Sequence, residues 1–279
     1  TGIKPRCHFE DITRADFYGF VVPFASELMK LYEETGVPIK IRACDTMGYG
    51  INTPGTVLPR SVSGIIYGLH HYAGVPNHLL EWHGHNDFYR AVTNATTAWL
   101  YGCCGVNTSL FGIGERTGNT PLEAMVFEYA QLRGTLDGMD TTIITELADY
   151  YRKEIGYDIP PMTPFVGENF NLTRAGIHAD GILKNEEIYN IFNTELLLKR
   201  PVKIAVGKTS GLAGIAHWIN SYFKYEGDKK IGKQHPVVVR IKEWVDKQYE
   251  EGRVTQISDM ELAKLANTEM ENYLNESNN

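Results

Sequence analysis

The amino-acid sequence predicts an α/β protein in which four βα units with a parallel sheet precede a second, mainly helical unit. From the start to about Gly134, short β-rich runs alternate with amphipathic helical segments, as they do in parallel sheets. After a helical segment at about 141–155, the prolines at 160, 161 and 164 interrupt the periodicity. We therefore predict one domain at 1–158 and a second, mainly helical domain at 159–279.

Each of the four units begins with a β-rich run, followed by a polar or glycine-bearing loop and a helix. The candidate strands are residues 5–9, 38–44, 78–82 and 105–110. In the first helix apolar residues recur at helical spacing, and Gly36 stands where a C-terminal cap belongs. These apolar residues are Phe17, Phe20, Val21, Phe24, Leu28 and Leu31.

Capping residues mark two further helix starts. The fourth helix is predicted to open with Thr120 as its N-cap, Pro121 at the first helical position and Glu123 completing a capping box. In the second unit, longer helices are predicted at 236–251 and 258–274. The last of these begins with Ser258 and Glu261 as a capping box.

Composition and charge indicate a globular protein that acts on small molecules. The 279 residues carry a net charge of −7, which gives no electrostatic footprint for nucleic acid or an anionic membrane surface. The longest apolar stretches are shorter than the ~20 residues of a membrane-spanning helix, and the start does not read as a signal peptide. We predict a cytoplasmic protein with four reduced cysteines and with no nucleic-acid or membrane partner.

Polar residues cluster at the carboxyl ends of the candidate strands, where parallel βα proteins place their functional groups. His83 and His85 are two residues apart on an extended segment, so both imidazoles point to one side and can reach one cation. Imidazole suits several divalent transition metals, and nearby carboxylates would extend the choice to magnesium or manganese. The alternative is a polar strand end without a metal, and spacing alone gives the two interpretations equal weight.

Three other polar segments also have two interpretations. Glu10 and Asp11 either face a substrate or cap the first helix. The segment 112–119, GIGERTGN, either binds an anion at a helix N-terminus or forms a tight turn, and the turn is the commoner use. His178 lies in a polar helical segment, where a surface histidine is the default interpretation.

These residues, in this order, resemble the metal-dependent TIM-barrel synthases and lyases that include isopropylmalate, homocitrate, citramalate and Re-type citrate synthases and hydroxymethylglutaryl-CoA lyase. The resemblance spans nearly the whole chain and is specific at four segments. These segments are FEDITR at 9–14, CDTMGYGINTPG at 44–55, HGHND at 83–87 and GIGERTGNTPLEA at 112–124, which resemble barrel strands five to eight.

The second unit points to the synthases within this family. RAGIHADGILKNEEIY at 174–189 is similar to the helical subdomain motif of the synthases, which the lyases lack. The segments LEWHGHNDFY and KTSGLAGIAHWINSY look closest to Re-type citrate synthases. The resemblance therefore implies the C-terminal half of a (β/α)8 barrel followed by a helical subdomain. The chain begins at Thr1 with no counterpart of strands one to four, so we expect the N-terminal half to be absent.

The resemblance also implies a chemistry, which is the condensation of acetyl-CoA with a 2-oxo acid, with oxaloacetate giving citrate as the first choice. A divalent metal ion (Mn, Mg, Co or Zn) would be held by His83 and His85. The implied third protein ligand is an aspartate on the absent first strand, and Asn119 or waters would complete the shell. The implied catalytic residues are His178, Tyr189 and Glu115. The implied substrate-binding residues are Thr46, Glu10, Asp45 and Arg116, and the implied assembly is a homodimer.

Two alternatives stay open at this point. The first is a homocitrate, citramalate or 2-isopropylmalate synthase, which differs in the 2-oxo acid accepted. The second belongs to another class, a fragment without activity that serves only as a binding or dimerisation unit. Under that alternative we expect the 279-residue chain by itself to bind divalent metal weakly and to turn over no substrate.

Overall fold

The computed structural model describes residues 2–174 and 176–277, without the side chains of Ile177, Asp180, Leu183 and Ser277. The chain divides into two compact units, Thr1–Met139 and Asp140–Asn279. The domain boundary expected between 158 and 159 stays a prediction. None of the helices in the described part of the chain is both long enough and apolar enough to cross a membrane.

The first unit contains a four-stranded parallel sheet with the order β1-β2-β3-β4, which confirms the predicted α/β class with a parallel sheet. The strands are β1 (Arg6–Phe9), β2 (Lys40–Asp45), β3 (Leu80–Gly84) and β4 (Gly105–Asn107). The helices are α1 (Val22–Thr35), α2 (Val62–His71), α3 (Ala91–Leu100) and α4 (Leu122–Arg133). The strands follow their chain order because each crossover helix returns the chain to the next position of the sheet.

The two faces of this sheet differ in polarity. One face carries Phe9, Ile41, Ala43, Leu80 and Trp82, which pack with the helices into the hydrophobic core. The other face carries charged and polar residues, because successive side chains on a strand point in opposite directions. Near the amino-terminal ends of the strands, this polar face holds a cluster in which the carboxylate of Glu81 accepts hydrogen bonds from Arg6, Lys40 and Arg42.

The apolar stripe expected on the first helix is wrong at three positions. Phe17 and Val21 of the expected stripe are buried, but Phe20, Phe24 and Leu31 are 59%, 41% and 46% exposed. Ala25 and Met29 take the buried positions further along the helix. The physical reason is a π-helical turn at Phe17–Val21, begun where the Asp16 side chain accepts from the backbone N–H of Gly19. One extra residue in a turn rotates all that follows by about 100° about the helix axis, and the buried stripe shifts with it. The expected Gly36 cap is confirmed, with φ at 70°.

The capping box expected at the start of the fourth helix is also wrong. Pro121 itself is the N-cap of α4, and no side chain caps the helix. Thr120 is buried, and its hydroxyl lies 3.4 Å from the carbonyl oxygen of Gly84. Glu123 accepts instead from the backbone N–H of Phe111 at 3.1 Å, so its carboxylate holds the preceding loop rather than the helix end.

The second unit consists mainly of helices around a core of its own. It contains α5 (Ile143–Tyr150), α6 (Gly176–Lys184), α7 (Thr194–Leu198), α8 (Leu212–Tyr222), α9 (Pro236–Glu250) and α10 (Asp259–Ser277). Two short parallel strands, β5 (Leu172–Thr173) and β6 (Lys203–Ile204), pair with each other. Residues Ile215, Ile219, Val237 and Ile241 are fully buried where α8 and α9 pack.

The capping box at Ser258 and Glu261 is confirmed. The backbone N–H of Glu261 donates to Ser258 Oγ at 3.2 Å, and the backbone N–H of Ser258 donates to Glu261 Oε2 at 3.0 Å. These reciprocal bonds satisfy donors that a helix start otherwise leaves without partners. The capping pair therefore fixes the first turn of α10.

Candidate active site

The strand register places a row of polar side chains at the carboxyl end of the sheet. Cys44 pairs with His83 between β2 and β3, and His83 pairs with Asn107 between β3 and β4. Paired residues in neighbouring parallel strands project to the same face, so these three side chains lie side by side. His85, two residues beyond His83, continues on the same face above this row.

The two predicted imidazoles meet. Their Nε2 atoms are 3.2 Å apart, and the rings are nearly perpendicular with centroids 5.0 Å apart. Two nitrogens bound to one zinc at about 2.0–2.1 Å each would be separated by roughly 2.9–3.4 Å at angles of 90–109°. The spacing of His83 and His85 therefore fits two ligands of one cation.

The surroundings of His83 keep its ring neutral and oriented. Burial lowers its pKa, the hydrogen bond to Asn107 opposes this effect, and the neighbouring His85 lowers the pKa further. The Nδ1 atom lies 2.7 Å from Asn107 Oδ1. A neutral imidazole can offer a lone pair to a metal ion, whereas a protonated one cannot.

The other predicted ligand, Asn119, lies next to His85. Asn119 forms a backbone bridge with His85, and its N–H donates to the carbonyl oxygen of Gly112 at 2.9 Å. Its Oδ1 atom and the Nδ1 atom of His85 are buried without a hydrogen-bond partner among the described residues. A buried amide oxygen without a partner is costly unless something else binds it. Two imidazole nitrogens and one amide oxygen are a donor set that suits Mn, Co or Zn.

The predicted substrate residues Glu10 and Thr46 contact each other. Thr46 Oγ1 donates to Glu10 Oε2 at 2.7 Å and accepts from the backbone N–H of Asp11 at 2.8 Å. The Glu10 side chain is 60% exposed, and its second carboxylate oxygen, Oε1, lies 3.8 Å from His8 Nδ1. The pair thus presents a hydroxyl and a carboxylate at the same end of the sheet as the histidines.

Asp45 is placed differently from its neighbour Thr46. It is fully buried, and its carboxylate accepts from Thr13 Oγ1 at 2.9 Å and from the backbone N–H of Gly50 at 2.8 Å. Burial raises its pKa, and these hydrogen bonds oppose the rise. In this arrangement Asp45 shapes the loop after β2, and contact with substrate stays a prediction for it.

Arg116 connects three loops. Its Nε donates to Asp87 Oδ1 at 2.8 Å, and its Nη2 donates both to Asp87 Oδ2 at 3.0 Å and to the carbonyl oxygen of Thr46 at 2.7 Å. The hydrogen bond from Arg116 lowers the pKa of Asp87, which keeps the bridge charged. Arg116 has φ of 55°, a left-handed conformation that non-glycine residues seldom adopt. Glu115 beside it is 86% exposed, with a carboxylate oxygen 3.9 Å from Arg116 Nη1.

The predicted residues His178 and Tyr189 lie together in the second unit. Their rings stack with centroids 3.8 Å apart and an angle of 18° between the planes. His178 belongs to α6, and Tyr189 follows the 3-10 turn Glu186–Ile188. Ala175, which belongs to the same motif, lies outside the described residues.

Asn107, and the grouping of the predicted residue Glu10 with His8 and Cys44, were missed in the sequence. Asn107 was overlooked because its place beside His83 depends on the β3–β4 register, and because the strand predicted at 105–110 in fact ends at Asn107. His8, Glu10 and Cys44 place their potential ligand atoms within 4.8 Å of one another. Burial, followed by the charge of Glu10, raises the pKa of the Cys44 thiol to about 12, so this thiol is protonated.

Comparison with known proteins identifies relatives across both units. The HMGL-like family model matches residues 5–150. The chain is 59% identical over 269 residues to Citrate (Re)-synthase of Clostridium kluyveri, covering 96% of this chain and 59% of that protein. It is 59% identical over 261 residues to Citrate (Re)-synthase of Syntrophus aciditrophicus, covering 94% of this chain and 42% of that protein. The chain therefore spans about half the length of these relatives.

A solved structure also matches part of the chain. The hydroxymethylglutaryl-CoA lyase from Pseudomonas aeruginosa aligns with a TM-score of 0.36 and 15% sequence identity, over 56% of this chain and 65% of that one.

Proposed function

Because the chain belongs to the HMGL-like family, we propose that the protein condenses acetyl-CoA with oxaloacetate to give citrate and CoA in a metal-dependent Claisen reaction. The observation that carries this proposal is the 3.2 Å separation of the Nε2 atoms of His83 and His85. Asn119, whose backbone bridges to His85, adds a buried amide oxygen that has no hydrogen-bond partner among the described residues. The relatives named Citrate (Re)-synthase support the choice of oxaloacetate.

In this proposal His83, His85 and Asn119 hold one divalent cation. When bound, the cation supplies Lewis acidity toward the keto group of the 2-oxo acid. Thr46 donates a hydrogen bond to a substrate carboxylate, which requires its hydroxyl to leave Glu10, its present acceptor at 2.7 Å. Glu10 then faces the substrate on the same side of the sheet.

The second substrate needs a base, because the methyl group of acetyl-CoA is a weak carbon acid. His178 removes a proton from this methyl group, and the stacked Tyr189 holds the imidazole in place. The methyl carbon then forms a bond to the keto carbon, and the keto oxygen takes a proton to become a hydroxyl. Water cleaves the thioester, which leaves a carboxylate on citrate and a thiol on CoA.

Arg116 and Glu115, in the loop between β4 and α4, have separate roles in the proposal. Arg116 braces the substrate loops through Asp87 and the Thr46 carbonyl. Glu115, with its exposed carboxylate, orients groups near the acetyl thioester.

The proposal also covers the architecture and assembly of the complete protein. The four strands of the first unit act as strands five to eight of an eight-stranded barrel, and the protein is a cytoplasmic homodimer.

The substrate assignment is tested by measuring CoA release from acetyl-CoA with the complete protein and four 2-oxo acids. These are oxaloacetate, 2-oxoglutarate, pyruvate and 2-oxoisovalerate. We expect oxaloacetate to give the highest kcat/KM, with citrate as the product. A higher value with any of the other three would contradict the proposal and assign homocitrate, citramalate or 2-isopropylmalate synthase activity.

The metal site is tested with His83→Ala in the complete protein. We expect this variant to lose both divalent-metal binding and metal-dependent CoA release, because one of two imidazole ligands is gone. His78→Ala is the matched control, since His78 lies just before the same strand in the 3-10 turn Asn77–Leu79. An unchanged metal affinity in the His83 variant would remove this residue as a ligand.

A further inference from the structure

We propose that Asn107 is a positioning residue that fixes the proton of His83 on Nδ1, so that the Nε2 lone pair faces the cation. This inference rests on the proposed function, because it concerns the metal site formed by His83 and His85. Asn107 does not belong to the predicted ligand set and acts through His83 alone.

The pairing of β3 with β4 brings Asn107 and His83 into contact. Asn107 is the last residue of β4 and pairs in register with His83 of β3, so the two side chains leave the same face at the same height. Asn107 Oδ1 lies 2.7 Å from His83 Nδ1. Both side chains are part-buried, which limits competition from water for this hydrogen bond.

The chemistry of the two groups decides where the proton resides. An amide oxygen can only accept, so a neutral His83 bonded to it carries its proton on Nδ1 and leaves Nε2 with a free lone pair. The opposite tautomer would place an Nε2–H 3.2 Å from His85 Nε2 and would block both atoms as ligands. Asn107 therefore selects the tautomer that a metal ion needs, as outer hydrogen bonds to metal-binding histidines do.

The amide of Asn107 accepts the hydrogen bond from His83 Nδ1 without adding a charge to the site. A carboxylate at the same position would also accept from Nδ1, but it would place a negative charge beside the two imidazoles. This difference provides a pair of informative variants. Asn107→Leu keeps a similar volume without an acceptor, and Asn107→Asp keeps the acceptor.

The experiment has two readouts in the complete protein. The affinity for Mn²⁺ or Zn²⁺ is measured by calorimetry, and long-range ¹⁵N–¹H spectra of histidine-labelled, metal-free protein report which ring nitrogen carries the proton. The His83 signals are assigned by their loss in His83→Gln. Asn77→Ala serves as the control for an asparagine substitution in the same unit, and thermal melting verifies that each variant is folded.

We expect Asn107→Leu to weaken metal binding by roughly 10- to 100-fold, the range for lost outer-shell partners. Its His83 signals should shift from the Nδ1–H pattern toward a mixture of tautomers. Asn107→Asp should retain the Nδ1–H pattern and bind metal at least as tightly as the wild type, and Asn77→Ala should match the wild type in both readouts.

Two results would overturn the inference while leaving the proposed function intact. One is a folded Asn107→Leu protein that binds metal as tightly as the wild type with an unchanged His83 tautomer. The other is an equal loss of affinity in the Leu and Asp variants, which would indicate a steric role instead. If the wild type and His83→Ala bind metal equally, the proposed metal site itself fails, and the tautomer spectra still test the effect of Asn107 on His83.

Discussion

Replacing Glu81 by glutamine removes a carboxylate that joins three cationic side chains on the polar face of the sheet. Lys40 Nζ donates to Glu81 at 2.7 Å, Arg42 donates at 2.8 and 3.1 Å, and Arg6 contacts it at 2.9 and 3.1 Å. Glutamine has nearly the same shape but no charge, so the three cations would face one another without compensation. We expect the variant to be less stable than the wild type.

The size of the effect follows from the pKa of Glu81. Burial alone would raise this pKa, but the hydrogen bonds from Lys40, Arg42 and Arg6 outweigh burial and lower it from 4.5 to about 2. This difference corresponds to about 3 kcal/mol of unfolding free energy at neutral pH. The side chains of Arg6 and Lys40 are 41% and 38% exposed, so solvent weakens their contribution. We therefore expect Glu81→Gln to lose about 2 kcal/mol at pH 7.

The pH dependence gives this prediction a sign. Because the pKa of Glu81 is lower in the folded state, its stabilising effect is complete above its ordinary value of 4.5 and is lost as the pH falls toward about 2. At pH 3.5, roughly three fifths of the difference between wild type and variant should remain. The difference should be constant between pH 6 and pH 7.

The assay is urea unfolding of both proteins at pH 7 and pH 3.5, followed by the fluorescence of tryptophans that include the fully buried Trp82. Glu27→Gln is the control, because Glu27 pairs with Lys30 on an exposed helix face, where an ion pair contributes 1 kcal/mol or less. A loss below about 0.5 kcal/mol at pH 7, or a loss that is equal at both pH values, would refute the reasoning.

Two further predictions concern a helix end and a loop. Ser258→Ala removes the acceptor for the Glu261 N–H at the start of α10 and should lower the free energy of unfolding by about 1 kcal/mol, and no change in urea unfolding would contradict this. Gly118→Ala should reduce thermal stability and metal affinity together, because Gly118 has φ of 93° and an added Cβ would overlap the Gly112 carbonyl oxygen. Gly105→Ala is its control, since its Cβ would meet nothing within 4 Å, and equal behaviour of the two variants would refute this account.

Much of the fold could be predicted from local sequence patterns, and the errors have physical causes. The alternation of strand and helix patterns specifies a parallel sheet, because each pattern reports a local period. The stripe on the first helix was wrong after Val21 because a single π-helical turn at Phe17–Val21 rotates every later residue. Thr120 was wrong as a cap because its hydroxyl faces the carbonyl oxygen of Gly84 at the end of β3, and no local pattern reports such a contact.

In the candidate site, too, local contacts could be predicted from the sequence and contacts between distant segments could not. The contact of His83 with His85 could be predicted, because residues two apart on an extended segment share a face. The contact of His83 with Asn107 could not, because it depends on the register between two strands. The roles predicted for the site residues stay predictions until the metal and substrate experiments are done.

The hydrogen bonds of Arg116 to two other loops restrict how this end of the sheet can change during evolution. Its guanidinium reaches Asp87 after β3 and the Thr46 carbonyl after β2, while its own backbone belongs to the loop after β4. An insertion or deletion in any one of these loops would move one partner out of hydrogen-bond range. The lengths of the three loops are therefore coupled, and we expect homologous sequences to lengthen or shorten them only where Arg116 is replaced as well.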